Sequence, residues 1–147
     1  MPKSIKFNHL LPELLVSDFI KSLYFYTAIL GFKIEYQRKN PSFAFLSYQG
    51  SQLMIQKLTL KEKENEKLEN PFGRGINFQI ETSSVVKIIK SLQKHKYPIT
   101  RDIKDSWYKG NKILYGCREI LVKDPDGYLL RFSEDLGKKS IKDAVAE

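Results

Sequence analysis

The sequence predicts an α+β fold, built from two βαβββ modules whose curved mixed sheet leaves a cleft. Three observations predict it. Phe19, Leu23, Tyr26 and Leu30 recur at helical spacing behind a short apolar segment. Three extended runs bounded by turn residues follow that stripe, and the same succession then recurs in the second half of the chain. With 147 residues, 41% of them hydrophobic, the chain can bury one well-formed core and leaves little room for a second. Residues 1–147 are therefore read as a single domain: module one over about 7–58, a linker over about 59–73, module two over about 75–135, and a C-terminal tail over 137–147.

The first element is the apolar segment Phe7 to Leu15. It runs into Ser17 and Asp18, either of which can accept backbone N–H bonds as an N-cap, and helix one then covers about Phe19 to Leu30, stopped by Gly31. Strands follow over Phe32 to Gln37, Phe43 to Tyr48 and Gln52 to Leu58, separated by Asn40-Pro41 and Gly50-Ser51. The segment Thr59 to Gly73 is charged and poorly periodic, as a connector would be. Ile76 to Ile80 alternates as a half-buried strand, Thr82 to Ser84 offer caps, and Val85, Ile88, Ile89 and Leu92 share one face of helix two. Tyr97-Pro98-Ile99 ends that helix and begins a strand; Asp105 to Tyr108 reads as a loop, and Tyr115 to Lys123 and Tyr128 to Ser133 as the last two strands. Asp124-Pro125-Asp126-Gly127 joins them as a tight turn, which makes them an antiparallel hairpin. The lysine-rich tail from Gly137 is read as frayed or as a short surface helix.

Composition narrows the function. One cysteine, Cys117, and two histidines exclude an internal disulfide and a structural zinc cluster. Pro12-Glu13 interrupts the N-terminal apolar patch and no long apolar run follows, so a cytoplasmic protein without a membrane segment is expected. The formal charge of +8 is spread over scattered lysines, and the densest stretch, Lys57 to Lys67, is interleaved with glutamates, which argues against a nucleic-acid partner. A neutral or anionic small ligand suits that charge better than a cation.

Leu11 to Phe32, LPELLVSDFIKSLYFYTAILGF, and Gly116 to Phe132, GCREILVKDPDGYLLRF, resemble the opening strand and helix and the closing hairpin of the vicinal-oxygen-chelate superfamily of glyoxalases, bleomycin-resistance proteins and extradiol dioxygenases. The resemblance anchors the chain from about Leu11 to Glu134 and implies the fold above. It also implies where enzymes of that superfamily carry divalent-metal ligands, at Leu11, Gln56, Gly75 and Arg131. Leu11, Gly75 and Arg131 cannot donate a lone pair, Gln56 alone is a poor ligand, and the fixed charge of Arg131 repels a cation. No catalytic residue, metal or cofactor is therefore assigned, and the expected function is that of the metal-free, bleomycin-resistance-like branch. That branch implies antibiotic-resistance-type sequestration of a small molecule in the cleft of a homodimer. The alternative is a glyoxalase-like lyase or transferase, or a dioxygenase, with an atypical metal site drawn from His9, Glu13 and Gln56.

Candidate ligand contacts follow from strand alternation. Phe43 and Phe45 share a face of one strand, and Met54 and Gln56 a face of the next. Trp107 and Tyr108 offer flat aromatic surface. Arg118 and Glu119 point to opposite faces, so that one of them meets the cleft, while Arg131 is the polar anchor able to fork to a carboxylate or phosphate, or else to be neutralised by Glu13 or Glu119.

Overall fold

The computed structural model describes residues 4–61 and 68–142. The order of elements is β1 (Glu13–Val16), α1 (Phe19–Tyr24) continuing as a π-helical turn (Phe25–Ile29), β2 (Lys33–Arg38), β3 (Phe43–Tyr48), β4 (Ser51–Lys57), β5 (Asn77–Glu81), α2 (Val85–Lys94), β6 (Arg101–Gly110), β7 (Ile113–Lys123) and β8 (Leu129–Ser140). The strands form two four-stranded sheets, ordered β1-β4-β3-β2 and β5-β8-β7-β6. In each, the first strand runs parallel to the last of its module and the remaining pairings are antiparallel. This is the βαβββ repeat that the sequence predicts.

The chain divides into two compact units. Unit one runs up to Gly75 and also contains Asp124–Tyr128; unit two contains Ile76–Lys123 and the chain from Leu129. In unit one the Asp18 side chain caps α1 by accepting from the Lys21 N–H. α1 and the turn after it bury Phe19, Phe25, Tyr26 and Ile29, and one face of the sheet buries Leu14, Val16, Ala44, Leu46, Leu53 and Ile55. Tyr26 and Phe32 meet edge-on with ring centroids 5.5 Å apart inside this core.

The Asp124–Gly127 turn is bound into unit one by a dense polar network. Asp124 is buried and accepts from the Tyr26 hydroxyl (2.8 Å) and from the N–H groups of Asp126 (3.0 Å) and Tyr128 (2.9 Å). Asp126 accepts from the Ser17 N–H at 3.0 Å and from the Ser17 hydroxyl, while the Tyr128 hydroxyl donates to the Leu15 carbonyl at 2.9 Å. Burial outweighs the hydrogen bonds at Asp124 and pushes its carboxyl up to about 6.

In unit two, Ser84 caps α2, and Val85, Ile88 and Leu92 bury against a sheet face that includes Ile80, Ile120, Val122, Leu130 and Phe132. A side-chain oxygen of Glu134 accepts the Val85 N–H at 2.9 Å, which places a carboxylate at the start of the helix.

Three local expectations change. The first strand begins at Glu13, because residues before Pro12 pair through Gln52 and not through a ladder. Asp105 to Tyr108, expected as a loop, lies inside β6, where pairing along β7 overrides the polar composition. The closing strand extends to Ser140 through its ladder with β7, so the first residues of the expected tail are strand. The linker over 59–73 and the tail over 137–147 lie partly outside the described residues.

Candidate functional site

Each unit has a sheet face turned away from its helix, and strand register decides which side chains occupy it. In unit one, β3 places Phe43 and Phe45 opposite Gln56 and Met54 of β4, and opposite Arg38 and Tyr36 of β2. Two of the expected ligand contacts form the floor of this face: Phe43 is 2% exposed and Phe45 0%. Tyr36 stacks on Phe45 at 5.3 Å between centroids, and the Arg38 guanidinium carbon stands 3.9 Å from the Phe43 ring centroid. Phe7 meets Phe45 edge-on at 5.2 Å. The segment carrying Phe7 is held by Gln52, which accepts from the Asn8 N–H and donates to the Lys6 carbonyl, both at 2.7 Å. A ligand on this face therefore meets the outer layer of Phe7, Tyr36 and Arg38 together with the half-buried Met54 and Gln56.

In unit two a single row crosses all four strands: Gln79, Arg131, Leu121 and Arg101. The next row holds Glu81, Ser133, Glu119 and Lys104. Glu119 is 1% exposed; one of its oxygens accepts from the Tyr108 hydroxyl at 2.6 Å and the other lies 3.7 Å from Arg131 Nε, beyond hydrogen-bond reach. The bond to Glu119 raises the Tyr108 phenol above its ordinary value, with burial adding to it. Arg131, Tyr108 and Glu119 are thus brought together.

Arg118 lies on the other face with Glu134. It forks to Asp105 at 2.9 and 3.1 Å and approaches Glu134 at 4.0 Å. That hydrogen-bonded pair holds the Asp105 carboxyl below its ordinary value and the Arg118 guanidinium above its own. Trp107 shares Arg118's side of β6 and β7, with Lys139 Nζ 4.2 Å from its ring centroid; a Cβ added at Gly116 would meet the indole at 2.6 Å. Of the expected contacts in unit two, Arg131 and Tyr108 share the open face, and Arg118 and Trp107 lie on the opposite one. Arg101 was not singled out in the sequence, because only the pairing of both β6 and β8 with Leu121 brings it into line with Arg131.

The helix caps also refine the family's metal positions. Leu11 precedes the N-cap Asp18 by seven residues, and the same interval counted back from the N-cap Ser84 falls on Asn77, two residues beyond Gly75. On the last strands, Glu13 pairs with Met54 as Gln79 pairs with Arg131, so Met54 is the counterpart of Arg131 in place of Gln56. Leucine and methionine in unit one, and asparagine and arginine in unit two, do not make a donor set for a hard divalent cation. His9 and Glu13 are exposed, and among the described residues no group of three or more His, Cys, Asp or Glu side chains is placed to hold a metal ion. Among the same residues, no helix is long and apolar enough to cross a membrane.

A family model described as the Glyoxalase/Bleomycin resistance protein/Dioxygenase superfamily matches residues 6–132. Among solved structures, TioX from Micromonospora sp. ML1 is similar with a TM-score of 0.65 and 19% identity, over 88% of this chain and 99% of that one. A glyoxalase/bleomycin resistance protein/dioxygenase from Alicyclobacillus acidocaldarius gives a TM-score of 0.63 and 17% identity over 88% and 92% of the two chains. A superfamily member from Sphaerobacter thermophilus DSM 20745 gives 0.61 and 21% over 88% and 98%. At these identities the structures show a shared fold, and no curated protein matches. The match over residues 6–132 and the repeated βαβββ units agree: the chain belongs to the Glyoxalase/Bleomycin resistance protein/Dioxygenase superfamily.

Proposed function

We propose that this protein is a metal-free binder of a small organic molecule, of the bleomycin-resistance-like kind, and that its ligand is neutral or anionic. The observation that carries the reading is Arg131. At a position where enzymes of the superfamily hold an acidic metal ligand, this chain has a permanent cation; its buried Nε has no hydrogen-bond partner among the described residues, with Glu119 as an ion-pair neighbour at 3.7 Å. A fixed positive charge on a sheet face does for an anionic ligand what a metal does elsewhere: it supplies electrostatic attraction, here with the two parallel N–H donors of a guanidinium. Tyr108 supplies an aromatic wall beside it, and Phe43, Phe45, Met54 and Gln56 form the corresponding face of the first unit. The protein works, in this reading, as a cytoplasmic homodimer that sequesters its ligand without turning it over. The net charge of +8 disfavours cationic antibiotics such as bleomycin itself.

A thermal-shift series tests this, since any ligand of the native state raises its stability, by about 2.7 kcal/mol at a hundredfold excess over Kd. Phenylacetate, a simple aromatic carboxylate, is expected to raise the melting temperature of the wild type and not of Arg131→Leu, while Mn²⁺, Ni²⁺ and Zn²⁺ raise neither. A metal-specific rise that disappears in His9→Ala or Glu13→Ala would overturn the reading in favour of a metalloenzyme.

A further inference from the structure

Four buried polar atoms on the open face of unit two have no hydrogen-bond partner among the described residues: Arg101 Nε and Nη2, Arg131 Nε and Glu119 Oε2. Buried donors and acceptors in folded proteins are almost always paired, because leaving water without a replacement bond is costly. Here unpaired donors and an unpaired acceptor occur within two adjacent rows of one sheet. Arg101 and Arg131 both pair with Leu121, one from each side, so their Cα atoms stand two strand spacings apart, roughly 10 Å. Glu119 lies two residues before Leu121 on the same strand and therefore on the same face. Its other oxygen is already taken by the Tyr108 hydroxyl, which fixes the carboxylate and leaves Oε2, an ion-pair partner of Arg131 Nε at 3.7 Å, short of a hydrogen-bond donor.

We infer that this face is a two-ended recognition site for a small hydroxy or amino acid: the two arginines take the ligand's carboxylate, and Glu119 Oε2 accepts an O–H or N–H from the same molecule. The inference rests on the anion-binding reading of Arg131 and goes beyond it by naming a second arginine and a required donor. Charge supports the assignment of ends. Arg101, Arg131 and Lys104 face Glu119 and Glu81 across these rows, so the face keeps a net positive charge that a simple anion would neutralise. A carboxylate alone, however, would be repelled by Glu119 and would leave Oε2 unpaired. A donor on the ligand removes both penalties, and an alcohol without an acid group satisfies neither arginine. The site therefore discriminates by a polar group whose absence leaves a buried partner bare, the kind of selection in which one missing hydroxyl costs most.

Calorimetric titration of the full chain with mandelate and phenylacetate, which share a phenyl ring and a carboxylate and differ by one hydroxyl, separates the two ideas. In the wild type mandelate is expected to bind at least tenfold more tightly than phenylacetate. Glu119→Gln keeps an oxygen for Tyr108 but cancels the charge, and it is expected to bring the ratio below twofold by weakening mandelate and tightening phenylacetate. Arg101→Leu is expected to weaken both acids by about tenfold, with the melting temperature and far-ultraviolet spectrum of each variant confirming that it is folded. Equal affinities in the wild type, or a ratio that survives Glu119→Gln, would overturn the two-ended site while leaving anion binding intact. Failure of both acids to bind, or binding indifferent to Arg131→Leu, would overturn the anion reading together with it.

Discussion

Asp124→Ala is expected to lower the stability of the fold by about 3–5 kcal/mol, whereas Asp124→Asn is expected to stay within about 1 kcal/mol of the wild type below about pH 4 and to be more stable than the wild type at neutral pH. Alanine strands three donors that now converge on one carboxylate, the Tyr26 hydroxyl and the N–H groups of Asp126 and Tyr128, and each unpaired buried donor costs about 1–3 kcal/mol. Asparagine keeps an oxygen for the two N–H groups and turns its amide towards Tyr26, whose hydroxyl then accepts. The two variants also differ in their response to pH. The Asp124 carboxyl titrates at about 6 in the folded protein against 3.8 in the unfolded chain, so the native state binds the proton more tightly. Its contribution is most favourable below about pH 4 and is lost as pH rises through 6, a fall of about 3 kcal/mol. Urea midpoints of the wild type should therefore decline over that window, and those of Asp124→Asn should lack this component. A wild-type profile matched point for point by Asp124→Asn would show that the buried carboxyl is not the titrating group.

Gly127→Ala is expected to destabilise by about 3 kcal/mol, seen as a fall in the urea midpoint. Two costs add there. Gly127 has φ of +92°, a conformation that costs an L-residue about 1–2 kcal/mol. A Cβ would also meet Pro71 Cα and Cβ at 2.6 Å, and overpacking of that kind costs about 1–3 kcal/mol. The Pro71-Phe72 segment cannot retreat freely, because the Phe72 N–H donates to the Asp126 carbonyl at 2.8 Å. Gly137→Ala is the control: its φ is +98°, but among the described residues no atom beyond its chain neighbours lies within 4 Å of the added carbon, so only the backbone cost applies. Equal losses in the two variants would remove the Pro71 contact from the account. Both series assign the DPDG motif to architecture, since its carboxylates are spent on Tyr26, Ser17 and the turn's own N–H groups.

The elements set by short-range physics were legible in the sequence. Helix one could be placed because Phe19, Tyr26 and their neighbours recur at helical spacing behind Asp18, and the hairpin because proline and glycine stand at the two turn positions that suit them. β6 was not legible over Asp105 to Tyr108, a polar segment that reads as a loop until ladder pairing with β7 is known. The candidate site was half legible. Arg131 stands out as a cation at a position where the resemblance implies a metal ligand, but facing depends on register. The irregularity between Arg101 and Lys104 determines which β6 side chains share the Arg131 face, and no local pattern announces it. Likewise the opposite facing of Arg118 and Glu119, and Glu119 as a partner of Arg131, were readable, but not that Arg118 would be committed to Asp105.

The central claim, that a fixed arginine charge on the open face of unit two binds a small acid, is tested most directly by nitrogen-15 NMR of the arginine Nε–Hε groups during titration with mandelate. The Arg131 and Arg101 signals should shift and exchange more slowly with water as the acid binds, and Arg118, already forked to Asp105, should stay in place. Unmoved Arg131 and Arg101 signals, with perturbations produced instead by Zn²⁺ around His9 and Glu13, would contradict it.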